Sequence, residues 1–428
     1  MQATRRAALW GMVAAKLWGG WGVTWDIQWH LLIGRDSFWI PPHLMTYSGV
    51  AVVAALALGT LARETWLTLK GSRPPESVRC LGLVGTRGMH WAWWGILITI
   101  LAAPIDDLWH RLFGLDVTLW SPPHLLGLLG SQVNSAGCLL LAAEAYPAGH
   151  RARSAAVLLG GALFFGGFHL LLGTSILWAY QQGGVAFFYY PILGGLLLPV
   201  ALLPVARLEP ARWTPALTVI LAALLALAAG GVARAGFALL QPEPALQEAI
   251  AEDPTSSIAT AHRMARENGG PVVTYTGRAR SILWALLPAV ALGLVGAHRR
   301  SLLGSLAFAL TFATVAGWSL AQFPALRAGL PTAPQIAAGL ILVLAAGAAG
   351  GVIGRGIASS LTRSGGTMVP KEIFSISMGA LLLAAVAFAA LETWIEVRAR
   401  QGHYETFSLE DPARASHIWR GAETSPNQ

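Results

Sequence analysis

Charge is scarce in this chain. Only 12% of its 428 residues are Asp, Glu, Lys or Arg, against roughly 25% in soluble domains. With 55% hydrophobic residues, the chain reads as long apolar runs between short basic connectors. That pattern marks a polytopic membrane protein, with the lipid bilayer as its first partner. The net charge of +8 sits mostly in the connectors, so it reads as a topology signal and excludes nucleic acid as a partner. Cysteine is nearly absent. Cys80 and Cys138 form no CxxC pair, which excludes a disulfide framework and a thiolate zinc site. Seven methionines make no Met-rich copper relay. No HExxH segment is present, which argues against a zinc protease. The start, MQATRRAALWGMVAAKLWGG, has the basic head of a signal peptide but no A-x-A cleavage site, and reads as a retained first helix.

About twenty apolar residues cross a bilayer core. Runs of that kind fall at about 7–25, 43–62, 91–106, 124–146, 154–178, 187–206, 214–240, 281–297, 301–320, 332–354 and 373–397. The expected fold is therefore an all-α polytopic bundle of about 11 transmembrane helices. Lys and Arg concentrate in the segments that a cytoplasmic N-terminus places inside, among them Arg5, Arg6, Arg63, Lys70, Arg87, Arg151 and Arg299. The short loops on the other side carry only Arg35, Arg111 and Arg327. This bias predicts a multi-pass protein of the cell membrane with its N-terminus in the cytoplasm. A polar stretch at 241–280 is expected as an amphipathic helix on the outer surface, and 399–428 as a polar tail.

Two segments repeat. WDIQWHLLIGRDSFWIPPHL runs from Trp25 to Leu44, and DDLWHRLFGLDVTLWSPPHL from Asp106 to Leu125. Aligned on their first aspartates, Asp26 meets Asp106, Trp29 meets Trp109, His30 meets His110, Gly34 meets Gly114 and Asp36 meets Asp116. After a one-residue insertion, Trp39 meets Trp120, and Pro41, Pro42, His43 and Leu44 meet Pro122, Pro123, His124 and Leu125; Gly49 then meets Gly130. This predicts a parallel duplicated two-helix unit within 1–146 (copies about 7–62 and 91–146), followed by further transmembrane helices over 147–398. Both motifs are expected on the outer side.

The spacing carries local geometry. Asp26 and His30, like Asp106 and His110, are i, i+4 partners and share a helix face. The following glycine permits a turn, and the Pro-Pro pair opens the next helix. His43 and His124 then sit in its first turn. The bland reading is capping and interfacial polarity. Ionisable residues in membrane segments are costly, however, and their repetition favours a site. Asp26, His30, His43, Asp106, His110 and His124 are the candidate metal ligands. Asp36, Asp116 and His169 are candidates to support them. Imidazole suits Zn, Cu, Fe and Ni, and an Asp completes a two-His-one-Asp set. The flanking Trp residues read as interfacial anchors or as a shield for the site.

The first segment, through Asp26, Trp29, His30, Arg35, Asp36, Phe38, Pro41 and His43, resembles the C subunit of the copper membrane monooxygenases, the particulate methane and ammonia monooxygenases. The resemblance implies copper held by Asp26, His30 and His43 in an intramembrane site. It also implies an oxidoreductase or a subunit of one, and other membrane subunits as partners. The second segment matches through Asp106, His110 and His124, with Leu115 where the Arg would stand. The resemblance is confined to these two segments. Two other readings stay open: a metal transport or assembly protein, and a b-type haem electron-transfer protein, with zinc and haem b as the alternative cofactors. Lys16, near mid-membrane, is expected to snorkel or to pair with a carboxylate. His90 and His150 read as loop residues near the inner face. His262, His403 and His417 read as solvated residues of outer segments.

Overall fold

The computed structural model describes residues 2–34, 37–113 and 119–362, and only the backbone of residues 107, 110–113 and 252. All of these belong to one compact unit. The eleventh apolar run, at 373–397, and the histidines His403 and His417 lie outside the described residues.

The chain is a helical bundle. It opens with two long antiparallel hairpins, α1 (Gln2–Leu32) with α2 (Pro41–Leu69) and α3 (Arg87–Phe113) with α4 (Pro122–Ala145). Between them lies a small antiparallel pair, β1 (Val78–Cys80) and β2 (Leu83–Gly85). The remaining elements are α5 (Arg151–Leu170), α6 (Thr174–Gln182), α7 (Tyr189–Leu208), α8 (Thr214–Leu240), α9 (Leu246–Glu252), α10 (Ser257–Glu267), α11 (Gly277–Leu283), α12 (Leu286–Leu294), α13 (Ser301–Ala321) and α14 (Ala333–Thr362).

Among the described residues, nine helical stretches are long and apolar enough to cross a membrane. They correspond to the second through tenth runs read from the sequence. The first run lies on α1, which is helical for 31 residues, about 46 Å at 1.5 Å per residue. Arg5, Arg6, Lys16, Asp26 and several glycines dilute its apolar character. The span at Arg151–Gln182 takes in both α5 and α6, and that at Gly277–Leu294 both α11 and α12. The polar stretch at 241–280 forms two short helices, α9 and α10, and then starts α11.

Packing separates centre from periphery. In the span Gly184–Leu208, 83% of the apolar window is buried against protein, and in Pro41–Leu69 only 33%. Helix α7 is therefore central, held by α5, α13 and α14, while α2 is peripheral. On α8, Leu217, Ile220, Leu224 and Leu227 are exposed along one face, the stripe expected of a lipid-facing helix. Where helices touch, small residues let the backbones meet.

The helix ends away from the motifs are closed by arginines. Arg6 Nε donates to the Ala145 carbonyl at the end of α4, at 3.0 Å. Arg153 Nη2 reaches Leu208 O of α7 at 3.2 Å, and Arg87 Nη2 reaches Ser360 O of α14 at 2.9 Å. Each satisfies a carbonyl left over at a helix C-terminus. These basic residues act as caps as well as topology markers. His90 is buried in α3, its Nε2 3.4 Å from Val78 O, and is not a loop residue. His150 is the N-cap of α5, its Nδ1 accepting from Ala152 N at 3.1 Å.

Candidate metal site

Helix α1 runs unbroken through Asp26 and His30, so the i, i+4 spacing places both on one face. It ends at Gly34, whose φ of +76° is the left-handed turn that glycine adopts without strain. The Pro-Pro pair then occupies the first turn of α2, where a missing N–H costs nothing. His43 is thereby brought over Asp26.

The three side chains converge. His43 Nε2 lies 3.1 Å from Asp26 Oδ1, and His30 Nε2 lies 3.7 Å from the same oxygen. One donor atom from each residue falls within 4.8 Å of the others. Ligands about 2.1 Å from a common ion stand about 3.0 Å apart at right angles and about 3.4 Å apart at tetrahedral angles. The 3.1 Å separation lies between those values and the 3.7 Å separation lies just beyond them. Each residue is half-buried, 18–22% exposed.

The hydrogen-bond roles point the same way. His43 Nδ1 lies 3.0 Å from the Ser37 carbonyl. A carbonyl only accepts, so Nδ1 carries the proton. In a neutral ring Nε2 is then a lone pair aimed at a carboxylate oxygen. That oxygen, Asp26 Oδ1, is buried and accepts no hydrogen bond among the described residues. Two acceptors 3.1 Å apart need a cation between them or a proton on the ring. A backbone carbonyl holding the far nitrogen is the usual support of a metal-ligating imidazole.

One side of the site is apolar. Trp25 and Trp29 are buried with Ile33, Ile40 and Met45. Trp29 stacks on Phe237 of α8 at 5.8 Å, and Trp25 meets it edge-on at 6.1 Å. These two indoles are buried beside the cluster. Trp39, by contrast, is 71% exposed.

The second segment follows the first as far as it is described. Asp106 Oδ1 and His124 Nε2 are 3.4 Å apart, and α4 again begins at its Pro-Pro pair. His110 lies on the same helix as Asp106, four residues on; its side chain is outside the described residues, as are Asp36 and Asp116. The cluster of Asp26, His30 and His43 takes in neither Asp106 nor His124.

The two hairpins also cross alike. A Cβ on Gly49 would stand 2.7 Å from Ala15 O, and one on Gly130 would stand 2.6 Å from Gly95 O. Thr46 Oγ1 donates to Gly19 O at 3.4 Å, and Thr99 Oγ1 to Gly127 O at 3.0 Å. Ala15 and Gly95, Gly19 and Thr99, and Thr46 and Gly127 are the positions that the motif alignment pairs when it is extended along the helices.

The other sequence candidates are placed differently. His169 is buried on α5, its Nε2 3.2 Å from the Tyr190 hydroxyl; its hydrogen bond goes into the bundle. Among the described residues Lys16 meets no carboxylate. Its Nζ donates to the carbonyl and hydroxyl of Ser131 on α4, each at 3.1 Å. Sequence reasoning passed over Arg278. Its guanidinium reaches Thr24 Oγ1 of α1 at 2.5 Å and Gly166 O of α5 at 2.9 Å, fixing α1 two residues before Asp26. Its only signal was an arginine three residues before an apolar run.

Fold and site together define a multi-pass helical membrane protein with a compact Asp–His–His cluster at the end of its first hairpin. No family model, curated protein or solved structure matches the chain.

Proposed function

We propose that this protein binds copper at the outer face of the membrane, through Asp26, His30 and His43. The observation that carries the reading is the convergence of one ligand atom each from Asp26, His30 and His43 within 4.8 Å of one another, with His43 Nε2 3.1 Å from Asp26 Oδ1. Two imidazoles and one carboxylate suit Cu or Zn; the resemblance of the segment to the copper monooxygenase C subunit favours copper. The outer placement rests on the Lys and Arg bias between loops. A redox role, alone or with other membrane subunits, rests on the resemblance.

Asp106, His110 and His124 make a second site in a duplicated unit. The matched crossings at Gly49 and Gly130 support this, as does the reciprocal packing of α1 on α4 and α2 on α3. Such reciprocity is what two units related by a pseudo-two-fold axis produce. The haem reading is disfavoured by the first cluster, whose three ligand atoms lie within 4.8 Å of one another, a spacing that suits one small ion.

Metal analysis of the purified protein, with an absorption scan, tests the proposal. Copper is expected at stoichiometric amounts, and His30→Ala with His43→Ala should remove one equivalent. A Soret band at stoichiometric haem, or full copper content in the double variant, would overturn it.

A further inference from the structure

The polar stretch after α8 crosses back over the first motif. Ala245 N donates to the Ile33 carbonyl at 2.8 Å. His262 Nε2, on α10, lies 2.8 Å from the Leu31 carbonyl; a carbonyl only accepts, so this nitrogen carries the proton and donates. Both carbonyls belong to the C-terminal turn of α1, which immediately follows His30. Carbonyls there have no partner within their own helix, and here the partners come from a segment more than two hundred residues away.

The contact is close as well as bonded. A Cβ on Gly34 would stand 2.9 Å from Leu246 Cα. The far end of the segment is fastened independently. Tyr180 of α6 donates to Glu267 at 2.6 Å, Gln181 to Thr260 at 3.2 Å, and Ala325 N to Asn268 Oδ1 at 3.0 Å. Helix α10 presents Ile258, Ala259, Thr260 and Met264 inward. Residues 245–268 thus form a strap tied at both ends.

From this we infer that His262 is a positioning residue for the first metal site. It completes the last turn of α1 and so sets the angle at which His30 meets Asp26 and His43. The inference rests on the copper reading above and adds a consequence to it. Among the described residues the strap bonds to the end of the first motif's helix, and the first site owes part of its affinity to it.

The test compares His262→Leu with His262→Gln in the full-length protein, titrated with Cu(II) alone and followed by electron paramagnetic resonance. Both side chains fill the space, but only Gln donates. His262→Leu should weaken the first site by about tenfold or more, the scale of losing the hydrogen bond that orients a ligand, and should alter its hyperfine splitting. His262→Gln should restore both, and the second site should be unchanged in either variant. Tyr180→Phe, which loosens the far end of the strap alone, should leave the first site as in the wild type. Identical titrations and spectra for His262→Leu and the wild type would overturn the inference, as would an equal loss in Tyr180→Phe. A wild-type protein that binds no Cu(II) would instead overturn the metal reading itself.

Discussion

Asp26 on α1 and His43 on α2 are joined by a 3.1 Å contact between Oδ1 and Nε2, so the first hairpin is closed at its motif end by a carboxylate and an imidazole. Asp26→Asn keeps the shape and removes the charge. Copper affinity at the first site should fall by more than the roughly 10–100-fold that follows loss of a supporting contact alone. Isothermal titration of wild type and variant measures it. The wild-type thermal midpoint should rise with added Cu(II), because the ion binds the folded state, and the variant's rise should be smaller.

Both imidazoles must be deprotonated to bind an ion, so binding competes with protons. Acidification should release copper from the first site, with proton uptake on release. The measurement is free copper against pH by dialysis. Retention of the full complement in acid would show that the ligands are not these histidines.

The crossings inside the hairpins give a paired prediction. A Cβ on Gly49 would meet backbone atoms of Ala15 and Gly19, which cannot swing aside. Gly49→Ala should therefore push α1 from α2, cost about 1–3 kcal/mol as overpacking does, and weaken the first site. Gly130→Ala should act on α3, α4 and the second site. Gly59 has nothing within 4 Å of an added Cβ, so Gly59→Ala should be neutral or slightly stabilising. Copper equivalents and thermal midpoints of the three variants decide the matter.

How much of this was legible in the sequence follows from the range of the interactions. Asp26 with His30, the Gly34 turn and the Pro41–Pro42 restart are local, and the spacing alone placed them. Nine of the apolar runs were legible because lipid demands long uninterrupted hydrophobic stretches. What the sequence hid is long-range. Lys16 bonds to Ser131, Arg278 to Thr24 and His262 to Leu31 O across more than a hundred residues each. A histidine in a polar loop reads as solvated until its partner is known. The burial of Trp25 and Trp29 was hidden for the same reason, since Phe237 comes from α8.

Arg5 and Glu64 make a buried two-pronged ion pair, Nε to Oε1 at 2.7 Å and Nη2 to Oε2 at 2.9 Å. Arg5 also donates to Pro75 O at 3.2 Å. The pair closes the first hairpin at the end opposite Asp26, with side chains 1% and 2% exposed. Removing one partner strands the other. Arg5→Ala should destabilise the protein by about 3–5 kcal/mol, whereas Arg5→Met with Glu64→Leu together should cost much less, since no buried charge is then left over. Thermal unfolding in detergent, run as a double-variant cycle, reads the coupling. Equal losses in the single and double variants would mean that the hairpin is held by packing alone.

The orientation can be tested at Trp39. This side chain is 71% exposed at the turn between α1 and α2, and the Lys and Arg bias puts that turn outside. Trp39→Cys, with Cys80 and Cys138 replaced by Ser, should react with a membrane-impermeant maleimide added to intact cells. Cys80 alone, on the β1–β2 pair at the opposite end of the first hairpin, should react only after the membrane is opened. The reverse pattern would invert the topology and move the metal site to the cytoplasmic face, where the metals on offer differ and the copper reading would lose its compartment.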